Sequence, residues 1–221
     1  MAFINFANIM IAQNISKIQS EIGPAVQLVV VSKYRNIEDI KQAYAAGQRH
    51  FAENRVQALL ERKAALPNDI HWHLIGHLQS NKVKHIAAFI HCIQSVDSKE
   101  LLSEIDKQAS KHKRVIDCLL QLFIAQEDTK FGMDAEECKA ILKAKLAGAW
   151  PNVNVIGLMG MASLTDNVEQ VRAEFSSLKS LYDELKDLHG LRVLSMGMSS
   201  DYAIAVAAGS NLIRVGSKVF E

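Results

Sequence analysis

The feature that most constrains the fold of this chain is a regular alternation of short apolar segments with helical patterns. Eight apolar segments are typical of buried strands, at residues 27–32, 49–53, 71–75, 90–96, 116–125, 153–158, 191–195 and 212–215. Helical periodicity lies between them, for example at residues 37–46, 56–65, 98–112, 134–147 and 168–189. Such alternation predicts a parallel sheet. Eight units predict a closed (β/α)8 TIM barrel, with an open doubly wound sheet as the alternative.

A further helix is predicted before the first strand. It has one apolar stripe of isoleucines: Ile4, Ile11, Ile15, Ile18 and Ile22. Because the sequence ends at Glu221, shortly after the eighth strand, we expect no helix after that strand and expect the N-terminal helix to cover part of the gap. With only three prolines and no low-complexity linker, residues 1–221 are predicted to form a single domain.

The composition argues against several classes of partner. The formal net charge is +1 and 22% of the residues are charged, so we expect no nucleic-acid surface. No apolar segment approaches membrane-spanning length without charges, so we expect no membrane partner. The three cysteines, Cys92, Cys118 and Cys138, are widely spaced and odd in number, which favours a reducing, cytoplasmic compartment over a disulfide framework.

Lys33 is the strongest single candidate for function. It follows the first apolar segment directly, and Asn36 is a good N-cap for the next predicted helix. Barrels of this kind place their functional groups at the carboxyl ends of the strands. Partial desolvation there is expected to favour the neutral amine, which can attack a carbonyl and form a Schiff base.

Two other strand ends carry polar residues whose roles the pattern leaves open. Asn54 follows the second strand and is equally suited to binding a ligand and to capping the next helix. His71, His73 and His77 lie in and after the third strand. No carboxylate or cysteine completes a recognisable ligand set with them, so we expect no metal and favour a polar pocket wall.

The ends of the last two strands together predict a phosphate site. Ser199 and Ser200 precede a short predicted helix, and small residues there expose backbone N–H groups with hydroxyls beside them. Arg214, Gly216 and Ser217 follow in the last strand and after it. Barrels frequently bind phosphate with the loops after strands seven and eight. No P-loop or Rossmann glycine motif is present, so a nucleotide site of either kind is not predicted.

An imine-forming lysine and a phosphate site on one rim indicate a phosphorylated aldehyde. Pyridoxal 5′-phosphate fits this description. The substrate of a sugar-phosphate Schiff-base aldolase fits it equally well, and the residues alone do not separate the two. A visible chromophore is expected only with the first.

Several motifs follow one another along nearly the whole chain. They are VSK at 31–33, FAEN at 51–54, WHLIGHLQSNK at 72–82, GLM at 157–159, LSMGMS at 194–199 and IRVGS at 213–217. Together they resemble the pyridoxal phosphate homeostasis proteins, which are single-barrel relatives of the alanine racemase N-terminal domain. Ala52 and Ser217 stand where that family usually has glycine and threonine. Lys130 and Gly132 are kept in the loop 126–133, but the residues before them differ, so the role of this loop stays open.

The resemblance implies that pyridoxal 5′-phosphate is the cofactor. It implies eight cofactor-binding residues: Lys33, Asn54, His77, Met159, Ser199, Arg214, Gly216 and Ser217. Lys33 would form the Schiff base, while Ser199, Gly216 and Ser217 would hold the phosphate. Arg214 would face the pyridine nitrogen. Asn54, His77 and Met159 would lie near the ring or the pocket wall.

The same residues favour a carrier over an enzyme. Arginine only donates hydrogen bonds, so Arg214 would leave the pyridine nitrogen unprotonated and the ring a weaker electron sink, although racemases of this barrel type do work with arginine. Racemases of this type also need a second base, which a second domain and a partner subunit help to build, and this chain has no residues left for a second domain. We therefore expect a monomeric, non-catalytic protein that delivers the cofactor to apo enzymes. The alternative is a weak racemase or decarboxylase.

Overall fold

The computed structural model describes residues 6–126 and 131–221. Within them, eight parallel strands form a closed barrel in the order of the chain. The strands are β1 (Gln27–Val31), β2 (His50–Glu53), β3 (His71–Leu74), β4 (Cys92–Val96), β5 (Ile116–Leu122), β6 (Val153–Gly160), β7 (Val193–Ser195) and β8 (Leu212–Val215). The predicted (β/α)8 barrel is therefore confirmed. In the described residues, no helix is long and apolar enough to cross a membrane.

Helices alternate with the strands on the outside of the barrel. They are α1 (Phe6–Ile22), α2 (Ile37–Ala45), α3 (Val56–Ala65), α4 (Ser80–Ile86), α5 (Lys99–Lys111), α6 (Ala135–Leu146), α7 (Val168–His189), α8 (Tyr202–Ala207) and α9 (Ser217–Phe220). Residues 127–130, including Lys130 of the loop 126–133, lie outside the described residues, as does Ile4.

Two strand ends differ from the prediction by more than one residue near the carboxyl rim. β5 stops three residues before the predicted end, because Phe123 N donates to Met133 O at 3.0 Å and leaves the ladder with β6. β6 runs two residues further than predicted, because Met159 and Gly160 still pair with β5. The other predicted boundaries agree to within two residues.

The prediction that no helix follows the eighth strand is wrong. The single turn α9 follows β8 and buries Val219.

The N-terminal helix was predicted to cover part of the gap after the eighth strand, and this is confirmed. Helix α1 packs against α2, α8 and α9. Asn14 Nδ2 donates to Val219 O at 3.2 Å, and the Tyr202 hydroxyl bonds the Glu21 carboxylate. Four isoleucines of the predicted stripe are buried on this helix: Ile11, Ile15, Ile18 and Ile22.

The apolar core has two layers. Between the barrel and the helices lies the larger one, which includes Trp72, Phe51 and Phe175. Inside the barrel, alternate strand residues form smaller clusters, one of them around Val29 and Val31. The three cysteines are buried free thiols.

The N-cap predicted for α2 is present, since the Asn36 side chain accepts from Asp39 N at 2.8 Å. Replacing Asn36 by alanine should lower the free energy of unfolding by about 1 kcal/mol, because one backbone N–H loses its partner. For a chain of this size that corresponds to a melting temperature lower by roughly 2–4 °C. Thermal unfolding measures it, with Asn36→Asp as the control that keeps an acceptor. An unchanged melting temperature in Asn36→Ala would contradict the assignment.

Candidate functional site

A cavity of about 710 Å3 opens at the carboxyl end of the barrel strands. Six of the eight predicted cofactor-binding residues line it: Lys33, Asn54, Ser199, Arg214, Gly216 and Ser217. Apolar wall is supplied by Ile75, Met161 and Met198. The volume lies within the ordinary range of small-molecule sites, and a mostly apolar wall with a few convergent polar groups is typical of them.

Lys33 lies two residues beyond the end of β1, on the same face as Val31, so its side chain points to the interior side of the barrel. It is exposed to solvent at the cavity, so the expectation that burial desolvates its amine is wrong. The next residue, Tyr34, has a φ of 66°, a left-handed conformation that L side chains rarely adopt. The strained turn holds the Tyr34 ring centroid 6.0 Å from Lys33 Nζ.

A buried ion pair supports this turn from below. Glu53, at the end of β2, is fully buried and accepts from Ser32 Oγ at 2.6 Å. Arg62 Nε lies 2.9 Å from Glu53 Oε1. The same guanidinium donates to two backbone carbonyls on either side of Lys33, Ser32 O at 3.3 Å and Arg35 O at 2.9 Å. Arg62 therefore ties the Lys33 turn to β2.

The carboxyl group of Glu53 is also electrostatically linked to the cavity. Burial raises the pKa of Glu53, while the hydrogen bond from Ser32 and the positive charges of Arg62 and Lys33 act in the opposite direction. Within the described residues, its Oε2 has no hydrogen-bond partner. The Glu53 carboxyl group thus lies close enough to the cavity for the charge of Lys33 to act on it.

Asn54 does not cap a helix. The N-cap of α3 is Arg55, which makes no side-chain capping bond. The neighbouring loop passes very close to Asn54, because a Cβ on Gly76 would lie 2.2 Å from Asn54 O. Only glycine fits at this position of the loop after β3. The sequence left two roles open for Asn54, ligand binding and helix capping. The capping role is excluded, and Asn54 lies in the cavity wall.

Arg214 is held rigidly inside the barrel. It is 2% exposed. Its NH1 donates to Ser195 Oγ and its NH2 donates to Gly160 O at 3.0 Å. Burial lowers the pKa of Arg214 to about 10, so the guanidinium stays charged at neutral pH. Two of its five N–H donors are used by these contacts, and the cavity side can take a ligand acceptor.

The contact with Ser195 continues down the barrel axis as a chain of hydrogen bonds. Ser195 Oγ donates to Gln94 Oε1 at 2.8 Å, and Gln94 Nε2 lies 3.0 Å from His73 Nδ1. All three side chains are buried. The chain holds Ser195, and therefore Arg214, in one orientation.

The loops after β7 and β8 meet in the wall of the cavity. Gly216 N donates to Ser199 Oγ at 3.2 Å, which joins the two loops. Asp201 Oδ1 accepts from Met198 N at 2.6 Å and shapes the first of them. Ser217 is exposed at the start of α9. Hydroxyls and backbone N–H groups thus gather where the sequence predicted a phosphate.

The phosphate prediction can be tested at Ser199. Replacing Ser199 by alanine should weaken binding of a phosphorylated ligand about 10-fold or more, because a hydrogen bond to a charged group is worth about 1.5–3 kcal/mol. Titration with pyridoxal 5′-phosphate, followed by absorbance, measures the affinity. Ser110→Ala is the matched control: Ser110 is an exposed serine of α5, and its loss should change affinity by less than about 3-fold, under 1 kcal/mol. Equal losses in both variants would contradict a specific role for Ser199.

Two of the predicted residues lie elsewhere. Met159 is fully buried inside the barrel, in a cluster with Cys92 and Leu119, and Met161 takes its place in the cavity wall. His77 lines a neighbouring groove of about 670 Å3, which it shares with Asn54.

His77 is engaged by its own neighbours. Its Nδ1 lies 3.0 Å from Asp97 Oδ2, and its ring stacks on exposed Phe131 with a centroid distance of 4.6 Å.

Three residues of the site were not predicted from the sequence: Met161, Gln94 and Ser195. Met161 shares a face with Met159 and directly follows β6, so continuing the alternation of the sixth strand by three residues would have indicated it. Gln94 and Ser195 are polar residues within apolar strand segments, which is itself a signal, because buried polar side chains need partners.

Comparisons with known proteins identify the family of the chain. Residues 9–220 match the family described as alanine racemase, N-terminal domain. A pyridoxal phosphate homeostasis protein from Aquifex aeolicus is 38% identical over 197 residues, which cover 88% of this chain and 86% of that protein.

Solved structures are similar over the same extent. PipY of Synechococcus elongatus without PLP is 38% identical with a TM-score of 0.90, and PipY with PLP bound is 37% identical with a TM-score of 0.86. Both matches cover 96% of this chain and all of PipY. An alanine racemase from Clostridium difficile, 12% identical with a TM-score of 0.78, shares the fold, and the match covers 56% of that enzyme.

Proposed function

Because the chain belongs to the family of the alanine racemase N-terminal domain, we propose that it binds pyridoxal 5′-phosphate and serves in its intracellular homeostasis. One observation carries the proposal: a single cavity brings together Lys33, the buried donor Arg214 and the joined loops of Ser199 and Gly216. These are the groups that an aldehyde, a pyridine nitrogen and a phosphate require.

Each residue has a defined task. Lys33 Nζ is the nucleophile for the aldehyde, and the Ser32–Glu53–Arg62 contacts hold its turn in place. Ser199 Oγ, Ser217 Oγ and the N–H groups of their loops bind the phosphate. When bound, pyridoxal 5′-phosphate supplies an electron sink for chemistry on amino groups.

Arg214 favours a protein that holds the cofactor rather than one that uses it. A guanidinium only donates, so it pairs with an unprotonated pyridine nitrogen and keeps the ring a weaker sink. Among described residues, the cavity wall contains no histidine or carboxylate that would provide a second base opposite Lys33. We therefore propose a non-catalytic carrier.

The proposal also covers the compartment, the oligomeric state and the partners of the protein. The carrier would act as a cytoplasmic monomer and pass pyridoxal 5′-phosphate to apo enzymes that depend on it. The exposed position of Lys33 supports transfer, because an incoming amine can reach it from solvent. Incubation of the loaded protein with an apo transaminase, followed by recovery of transaminase activity, measures that transfer.

The first test is the visible absorption spectrum of the purified protein after addition of pyridoxal 5′-phosphate. A yellow protein is expected, with the phosphopyridoxyl group mapped to Lys33 after borohydride reduction. A colourless protein that takes up no cofactor would overturn the proposal and favour a sugar-phosphate aldolase.

One observation favours a second candidate, a weak racemase or decarboxylase. Tyr34 lines the cavity beside Lys33 in a strained conformation, and its phenol is a group that can exchange protons. This function predicts turnover of an amino acid that is lost in Lys33→Ala and reduced in Tyr34→Phe. A carrier predicts no turnover in either variant or in the unmodified protein.

A further inference from the structure

Half of the protein's eight histidines lie together at the opposite, N-terminal end of the barrel. His50 and His71 begin β2 and β3, His73 is two residues further along β3, and His91 directly precedes β4. The His71 ring centroid is 4.7 Å from that of His50 and 4.6 Å from that of His91. None of these side chains lines the cofactor cavity, which lies at the other end of the same strands.

Three of these rings converge on one point. One ring nitrogen each from His50, His73 and His91 lies within 4.8 Å of the other two, and His50 Nδ1 is 3.0 Å from His73 Nε2. Tetrahedral zinc with bonds of about 2.0–2.1 Å to nitrogen places its ligand atoms about 3.4 Å apart. The separation of 3.0 Å is close to that value and the others are at most 4.8 Å, so rotation of the rings would be needed to centre a metal ion between the three nitrogens.

A buried amide stands behind the innermost ring. Gln94 Nε2 is 3.0 Å from His73 Nδ1, and the amide oxygen faces Ser195 Oγ. Metal-bound histidines commonly donate their other N–H to a carbonyl oxygen. In this structure the amide faces His73 with its Nε2 and accepts from Ser195 Oγ with its Oε1, so it fixes the orientation of the His73 ring.

We propose that His50, His73 and His91 form a binding site for a divalent transition metal of the zinc type at the N-terminal mouth of the barrel. Imidazole ligands suit Zn²⁺, whereas Mg²⁺ prefers oxygen. A water molecule completes the coordination, because His50 and His91 are only half-buried and leave the site open to solvent. The site differs from the His71, His73 and His77 set for which the sequence predicted no metal, and it does not depend on the proposed cofactor.

The test is calorimetric titration of the untagged, chelator-treated protein with Zn²⁺, and separately with Mg²⁺. One Zn²⁺ per chain is expected, with no binding of Mg²⁺. His50→Ala and His91→Ala should each weaken zinc binding about 10-fold or more. His112→Ala, which removes an exposed histidine at the C-terminus of α5, is the matched control and should bind zinc as the unmodified protein does.

Thermal unfolding provides a second readout that does not depend on the heat signal. Zinc should raise the melting temperature of the unmodified protein and of His112→Ala, because a ligand of the folded state stabilises it by mass action. Zinc should raise the melting temperatures of His50→Ala and His91→Ala by a smaller amount. Circular dichroism without zinc confirms that these variants fold. No zinc binding by the unmodified protein, or equal affinity in the ligand and control variants, would overturn the proposal.

Discussion

Replacing Lys33 by alanine should abolish covalent attachment of pyridoxal 5′-phosphate while leaving the fold intact. The side chain is exposed, so its truncation removes little packing and should change the free energy of unfolding by less than about 0.5 kcal/mol. The aldehyde loses its nucleophile, and the loops of Ser199 and Gly216 retain only reversible binding. The measurement is the stoichiometry of the phosphopyridoxyl adduct after borohydride reduction, located by peptide mass spectrometry.

The matched control for this experiment is a second lysine in the same cavity. Lys218 also lines the cavity, with its Nζ 4.8 Å from the centroid of the Tyr202 ring. Lys218→Ala should keep the adduct on Lys33, even if a lost positive charge weakens affinity. If Lys33→Ala retains the full stoichiometry, or if the adduct in the unmodified protein maps to Lys218, the assignment of Lys33 is wrong.

The largest loss of stability is expected for Arg62→Ala. Arg62 is only 9% exposed, and Glu53 is fully buried. Removing one partner of a buried ion pair leaves an uncompensated charge, which typically costs about 3–5 kcal/mol. A melting temperature lower by roughly 10 °C follows for a chain of this size. Thermal or denaturant unfolding measures it.

The same substitution should also affect the site. Without the bonds from Arg62 to Ser32 O and Arg35 O, the Lys33 turn loses its anchor, so cofactor affinity should fall even at temperatures where the variant is folded. Arg172→Ala is the control: its partner Glu169 is 3.7 Å away on the surface of α7, and such exposed pairs contribute about 0–1 kcal/mol. Equal destabilisation of the two variants would show that burial of the pair is unimportant.

Much of the site could be predicted because its signals are local. Lys33 after an apolar segment, Asn36 as a cap, and serine–glycine loops after the last two strands each depend on a few neighbouring residues. Backbone propensity and side-chain alternation act over the same short range, so these assignments need no tertiary information. The mistake at Met159 has an equally definite origin, because the last pairs between β6 and β5 lie beyond the predicted strand end.

The sequence by itself thus determined the eight strand–helix units and placed Lys33 and the serine–glycine loops at one rim of the barrel. Only the tertiary structure decided how distant residues meet. The Glu53–Arg62 pair beneath Lys33 depends on how α3 packs against the barrel. The convergence of His50, His73 and His91 depends on the register of neighbouring strands, since β2 and β3 place His50 opposite His71. Such contacts arise when the barrel closes and non-local pairing brings separate strands together, and no local pattern in the chain contains that information.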